Sequence, residues 1–307
     1  SANNQPDSIS GMLYPVYYLP EIMAKRIVEL LDGNDDWDKN AMMILITDAT
    51  SLVNVEISRN LTKLVNVKKL GEDDINLLDK LSAWDGDAHL KSVEATVFHR
   101  WIYFFLKNTF EDELGPELFQ QFLTTHFHKR LIAPMAQKKE SVWWDNALTE
   151  ETIENKKDIV LSSFVMALES LKEELGESSS KWTWDKVHTL EHGHPIGQVD
   201  MFRSFFNVGP FPVEGTREVI NNMFFTYTAD GQNKVSSGPS TRRIVDFSDV
   251  ENSVSILPTG QSGNPFSPYY KDQAELFVQG KFRKMMMNKE EIRSKSTSLL
   301  KFLPVGN

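Results

Sequence analysis

An α+β fold is what this sequence predicts, and three observations carry the expectation. From Trp37 to Leu175 apolar residues recur at helical spacing with few backbone breakers. At Gly176–Lys181 a polar linker with three serines interrupts that pattern, and the runs beyond it are shorter and β-rich. Near the C-terminus, Pro258–Pro268 places three prolines, two glycines, an Asn and three hydroxyl residues in eleven positions, a density of breakers that neither a helix nor a central strand survives. Helices first and β-rich segments last define the class.

The elements follow in chain order. Ser1–Asp7 is short and polar. Gly11–Tyr18 gathers Tyr14, Tyr17 and Tyr18 around Pro15, an aromatic cluster that either lines a substrate pocket or packs beneath a loop. Pro20–Leu31 reads as a helix, with Pro20 tolerated in its first turn, an apolar stripe through Ile22, Met23, Ile27, Leu30 and Leu31, and Gly33-Asn34 to end it. Within this mainly helical region Asn40–Val67 is a long apolar-periodic run with few breakers, and Glu72–Ala83 reads as a short helix after Gly71. In Ser92–Phe110, the residues Phe98, Trp101, Phe104 and Phe105 form a stripe of core type, and Pro116–Leu131 continues it. Thr149 is placed to cap a helix from Glu150 to Leu175, with acidic residues in the first turn and Gly176 beyond the last.

Val219–Thr228 predicts a strand leading to a turn at Asp230-Gly231. Arg243–Asp246 and Ser253–Leu257 predict two short strands joined by the polar turn Ser248–Asn252. Gln273–Gly280 suits a last short helix, and Lys281–Arg283 and Thr297–Leu303 suit edge strands. These readings divide the chain into an active-site loop and aromatic segment (1–19), a mainly helical region (20–176), a β-rich sheet segment (177–257), and a Gly/Pro-rich loop with its tail (258–307), all parts of one larger domain.

Composition excludes several functions. With 307 residues, 40% hydrophobic and 25% charged, the chain is ordinary for a globular protein. A net charge of −10 argues against a nucleic-acid surface and against binding to anionic membrane, and no apolar run is long enough to predict a transmembrane helix. The absence of cysteine removes disulfides, thiolate catalysis and Cys-ligated zinc. Ser1-Ala-Asn-Asn-Gln-Pro-Asp has no basic start, no apolar core and no initiating Met, so the expectation is a processed or cut chain with any targeting signal upstream. Helical geometry points the rings of His126 and His128 apart, and these with His99 are expected to be structural or at the surface. His188, His192 and His194 sit among Gly and Pro with no acidic partner at zinc-protease spacing, so no metal is expected there.

Gly238-Pro-Ser, Arg242, Asp246, Leu257-Pro-x-Gly-Gln-Ser-Gly263, Ser267-Pro-x-Tyr-x-x-Gln273 and Gly280 stand in order over about forty residues. With them the chain resembles the closing segment of the penicillin amidase family, N-terminal-nucleophile (Ntn) hydrolases that cleave linear amides. Trp84-Asp85-Gly86, Trp182-x-Trp184, His188 and His194-Pro-x-Gly197 fit the same resemblance. It implies part of an αββα four-layer Ntn-hydrolase fold with a large helical insertion, and places this chain as the C-terminal part of the large (beta) subunit of a self-cleaving precursor. The partners implied are the small alpha subunit, the start of the beta subunit and a small N-acyl amide substrate. The location implied is periplasmic or secreted.

In the resembled family a new N-terminal Ser, Thr or Cys attacks the amide, with its own α-amine as general base; such an amine has a pKa of about 7.7–8.0, suited to neutral pH. Ser1 opens this chain, but the family nucleophile opens an apolar strand, and Ala2-Asn-Asn-Gln-Pro is neither apolar nor strand-like. The nucleophile is therefore expected upstream, and this chain alone is expected to be inactive. The paired Asn3-Asn4 matches the family's oxyanion loop, which assigns Asn3 to the oxyanion hole; an Asx-turn before Pro6 is the alternative. Arg26 matches the family's active-site arginine, which would orient the Asn amide by bonding its oxygen. Lys25 competes for that assignment, and an exposed helix charge is the plain alternative. No cofactor is implied for the chemistry. Family members often hold a structural calcium, but one expected ligand position is Tyr14 here. The acyl group stays open among β-lactam side chains, N-acyl homoserine lactones and peptides. A non-catalytic binding module that keeps the fold is the second reading, and the residue opening the upstream strand separates the two.

Overall fold

The first helices are set by where their caps fall. The structure, a computed structural model, describes Tyr18 and residues 20–304. Helices α1 (Ile22–Asp32), α2 (Lys39–Leu45), α3 (Leu52–Thr62), α4 (Glu72–Ala83), α5 (Val93–Thr124), α6 (Phe127–Gln137) and α7 (Lys156–Leu175) come first. Then follow β1 (His188–His192), α8 (Asp200–Phe206), β2 (Val208–Pro212), β3 (Phe224–Phe225) and β4 (Asn233–Ser237). The last elements are β5 (Arg242–Ile244), β6 (Val254–Ile256), α9 (Ala274–Val278), β7 (Arg283–Lys284) and α10 (Lys289–Lys295). The chain divides into two units. One comprises the residues up to Asp35 and Leu45–Pro239; the other comprises Asp36–Ile44 and the residues from Ser240 onward.

The apolar-periodic run Asn40–Val67 holds two helices, α2 and α3, with a break between them. Ser51 caps α3 by accepting the Asn54 N–H, and its own N–H donates to Gly86 C=O at 3.0 Å. Thr50 forms a bridge with Asp87 beside it. Gly86 has φ +89°, and a Cβ there would stand 2.5 Å from the Ser51 carbonyl oxygen, so this close approach requires glycine. Thr149 is not the cap of α7. Asn155 is, six residues later, in a capping box with Asp158, while the Thr149 hydroxyl bonds Glu154 and the Asn146 carbonyl. Helix α5 carries a break at Gly115 before Pro116, so its two halves correspond to the two aromatic runs seen in the sequence.

Apolar side chains of α5 make the centre of the first unit. Phe98, Trp101, Ile102, Phe105 and Leu106 are 0–1% exposed, and α7 packs along them through Val160, Phe164 and Leu168. Trp101 Nε1 donates to Val160 C=O and to Ser163 Oγ, so the indole is buried without an unmet donor. The adjoining sheet has the order β2-β1-β4-β3, with β1 and β4 parallel and the outer pairs antiparallel. Val219–Thr228 contributes only the two residues of β3. Before it, Glu218 has φ 64° and Thr216 bridges Asn222, which folds the backbone back instead of extending it.

The second unit contains an antiparallel sheet of order β5-β6-β7. The hairpin of β5 and β6 lies where the sequence placed it, with Asp246–Asn252 as its turn. Residues 296–304 are exposed, carry no regular structure and pair with no strand, so the expected edge strand at Thr297–Leu303 is absent; Asn288 instead caps α10 before it. Among the described residues no helix is long and apolar enough to cross a membrane.

Candidate functional site

Helix α1 presents Arg26 on its inner side, with 16% of the side chain exposed. The guanidinium meets Asp48 side-on: Nε donates to Oδ1 at 3.1 Å and one terminal nitrogen to Oδ2 at 2.8 Å. The other terminal nitrogen donates to Glu29 at 2.8 Å. The hydrogen bond to Asp48 is the main reason the Arg26 pKa rises above its ordinary value. Asp48 is itself fixed: its Oδ1 accepts the Thr50 N–H at 3.2 Å and its carbonyl accepts the Asn221 N–H at 2.8 Å. Of the five guanidinium N–H groups three are engaged by these carboxylates, so that among the described residues one on each terminal nitrogen is left for a further acceptor. Lys25, one residue earlier, is exposed.

Ser1, Asn3, Tyr14 and Tyr17 lie outside the described residues, and Tyr18 is half-buried. Among the described residues no group of three or more His, Asp or Glu is placed to hold a metal ion, and the position expected to ligate calcium, Tyr14, lies outside them.

A cavity of about 290 Å³ opens in the same unit, between the start of α1 and helices α3, α5 and α6. Its wall is apolar at Ile22, Val53, Ile57 and Ile102 and polar at His99, Lys129, Arg217, Glu218 and Tyr227. The polar side chains form chains of contacts. His99 sits between the Tyr227 hydroxyl at 2.9 Å and the Thr216 hydroxyl at 2.8 Å. His128 Nδ1–H donates to Phe122 C=O at 3.3 Å, so its bare Nε2 accepts from Arg217 at 2.6 Å. Protonating that nitrogen would set donor against donor. Burial first, and Arg217 second, hold the His128 pKa down at about 3. Burial likewise lowers His99 and pushes Tyr227 up to about 12.

Lys129 Nζ stands 3.0 Å from Glu218 Oε1 as an ion pair and 3.9 Å from the centre of the Phe224 ring. Arg217 lies over the Tyr227 ring at 4.6 Å. These imidazoles and this phenol are neutral at pH 7, so the cluster holds fixed charge and is unsuited to proton transfer. The sequence reading placed His99 and His128 as structural or surface groups; both are buried, and His126 is exposed. It did not single out Asp48, Lys129, Arg217, Glu218 or Tyr227. The only local signal for Asp48 was the polar stretch Thr47–Ser51 between two apolar runs.

In the second unit, the residues that carried the resemblance pin a loop. Arg242 is 5% exposed, donates to Phe277 C=O at 2.8 Å and covers the Phe277 ring at 4.1 Å. Burial lowers its pKa to about 10. Gln273 accepts the Leu257 N–H at 3.1 Å and donates its own backbone N–H to Thr259 C=O. A Cβ on Gly260 would fall 1.9 Å from the Tyr269 carbonyl oxygen, so the loop closes at that point only with glycine.

Helices with a mixed sheet in one unit, and a Gly/Pro loop fixed by a buried Arg and Gln in the other, make this an α+β chain. The sequence pattern of the penicillin amidase family matches residues 1–294, and the chain belongs to that family. It is 24% identical over 294 residues to the acyl-homoserine lactone acylase QuiP of Pseudomonas aeruginosa, covering 87% of this chain and 34% of that relative. It is 27% identical over 293 residues to the acyl-homoserine lactone acylase QuiP of Pseudomonas syringae pv. syringae, with the same two coverages. The chain thus spans about a third of the length of the curated relatives it matches. A solved structure, a thermostable penicillin G acylase from Alcaligenes faecalis, matches with a TM-score of 0.49 at 15% identity, over 99% of this chain and 56% of that one.

Proposed function

We propose that this chain is the C-terminal portion of an Ntn amide hydrolase whose substrate is a small N-acyl amide, with acyl-homoserine lactones as the first class to test. Family membership over residues 1–294 is the observation that carries the reading, and the name of the relatives supports the substrate class. The nucleophile, set free by self-cleavage, lies upstream of this chain and uses its own α-amine as base. The chain works with that upstream part, alpha subunit included, is inactive without it, and acts in the periplasm or outside the cell. No cofactor enters the chemistry.

In this reading the Asn3 side-chain NH₂ donates to the oxyanion as the tetrahedral intermediate forms. The Asn3 carbonyl oxygen faces Arg26, whose two spare N–H groups hold it and so turn the NH₂ toward the substrate. The bidentate hold of Asp48 supports this role, because a guanidinium fixed side-on keeps its terminal edge in one direction. Removing one oxyanion donor costs roughly 10²–10³ in rate. Asn3→Ala in the full-length protein is therefore expected to cut kcat on N-acyl homoserine lactones by about 10² with the fold retained. Unchanged turnover would remove Asn3 from the mechanism, and turnover by the 307-residue chain alone, abolished by acetylating its N-terminus, would make Ser1 the nucleophile.

A further inference from the structure

Arg217 is 7% exposed, and among the described residues its guanidinium has no carboxylate partner. One terminal nitrogen donates to the neutral His128, and the other, buried, donates to nothing. Its neighbours are the faces of Phe224, Phe225 and Tyr227, at 5.2, 5.7 and 4.6 Å. The nearby carboxylate of Glu218 is paired with Lys129, itself 9% exposed. Two buried cations, Arg217 and Lys129, and one anion thus stand at the wall of one cavity, with the exposed Arg130 also on it, and the excess positive charge of the buried pair is costly. Glu218 holds its place with φ 64°, a left-handed conformation that strains a non-glycine residue. One side of the wall is aliphatic, with Val53, Ile57, Ile102, Ile132 and Ala133. At about 290 Å³ the space is at the small end of ligand sites.

We propose that this cavity is a binding site for a small apolar carboxylic acid, whose carboxylate is drawn to Arg217 and Lys129 and whose hydrocarbon body lies against the aliphatic wall. A carboxylate supplies the missing negative charge, and its two oxygens suit a guanidinium and an ammonium together. A neutral amphiphile of the same length gains the apolar contact without the charge and binds more weakly. The proposal does not depend on which amide the protein cleaves.

Isothermal titration of the full-length protein with octanoate and with octanamide tests this. Octanoate is expected to bind saturably and at least about tenfold more tightly than octanamide, since a buried charged hydrogen bond is at stake. Arg217→Met is expected to remove that preference. Ala133→Trp fills the cavity from α6 without removing either charge and is expected to abolish octanoate binding; it carries the test if Arg217→Met does not fold. Octanoate bound at any other place, the reaction centre included, survives Ala133→Trp, and that result overturns the proposal. Equal affinity for acid and amide overturns it too, as does no binding at all, which would mean the charge is met by a side chain of the longer protein.

Discussion

The two sheets of this molecule are held in different ways. The sheet of β1–β4 lies against aromatic rings: Trp184, fully buried, stacks between His99 and His188 at 5.1 and 4.6 Å, with Phe225 edge-on at 5.9 Å. The sheet of β5–β7 has strands of two or three residues, and of its hydrophobic side chains only Ile256 is fully buried. What fixes the second unit is a few polar side chains, Arg242 and Gln273 above all, each satisfying backbone groups of the loop. Area stabilises the first and directed hydrogen bonds the second. A long aromatic stripe announces itself by periodicity, whereas a loop held by single side chains announces itself by a motif.

The sharpest break of this comparison is Trp184→Ala. The indole also donates to Gly215 C=O at 2.9 Å, so truncation loses both area and a buried hydrogen bond. The expected cost is about 3–5 kcal/mol, read from urea unfolding of the full-length protein by circular dichroism. A cost under about 1 kcal/mol would mean that the rings are not what holds this sheet.

Acid probes the same region. His188 Nδ1–H donates to Asn233 C=O at 2.6 Å, while burial keeps the ring neutral with a pKa of about 4. In the unfolded chain imidazole protonates near pH 6.5. Between those values the unfolded state binds more protons, so the contribution of His188 is full above about pH 6.5 and is lost as pH falls through about 4. His128 behaves in the same sense down to about 3. His188→Asn keeps a donor for Asn233 but cannot titrate, so its stability profile is expected to be flatter than wild type from pH 6.5 to 4. Parallel profiles would show that His188 carries none of the acid sensitivity.

The second unit answers to Arg242→Met. Loss of a charged hydrogen bond to a buried carbonyl costs about 1.5–3 kcal/mol. The effect should be local, with faster hydrogen exchange in residues 254–280 and little change in α5. Equal acceleration in α5 would erase the distinction between the two modes of support.

What the sequence made legible follows the same division. The Glu72–Ala83 helix, the aromatic stripe of α5 and the hairpin of β5 and β6 depend on neighbours in the chain, and their periods were readable. The break between α2 and α3 depends on Gly86 and Asp87, more than thirty residues on, and helical propensity alone runs straight through it. Asp48 meets Arg26 across 22 residues and Arg217 meets His128 across 89, so neither pairing leaves a periodic trace. Arg26 was singled out by its place after an Asn pair; its partner Asp48, which fixes its direction, is visible only in three dimensions.

The start of α7 offers the finest comparison, between a cap that local sequence suggested and the one that forms. Thr149 and Asn155 are both good N-cap types, each followed three residues later by an acidic or β-branched position. Asn155 prevails because Asp158 returns a bond to its backbone N–H at 3.1 Å, while Thr149 is drawn away by Glu154. The Glu154 carboxylate also accepts the Asn146 N–H, which stiffens the loop that a longer helix would have consumed. Asn155→Ala is therefore expected to cost about 1 kcal/mol, and Thr149→Ala no more than a few tenths. Thermal unfolding of the two variants side by side decides it. The reverse order would mean that α7 begins at Glu150 in solution, and with it that the local signal had outweighed the capping box.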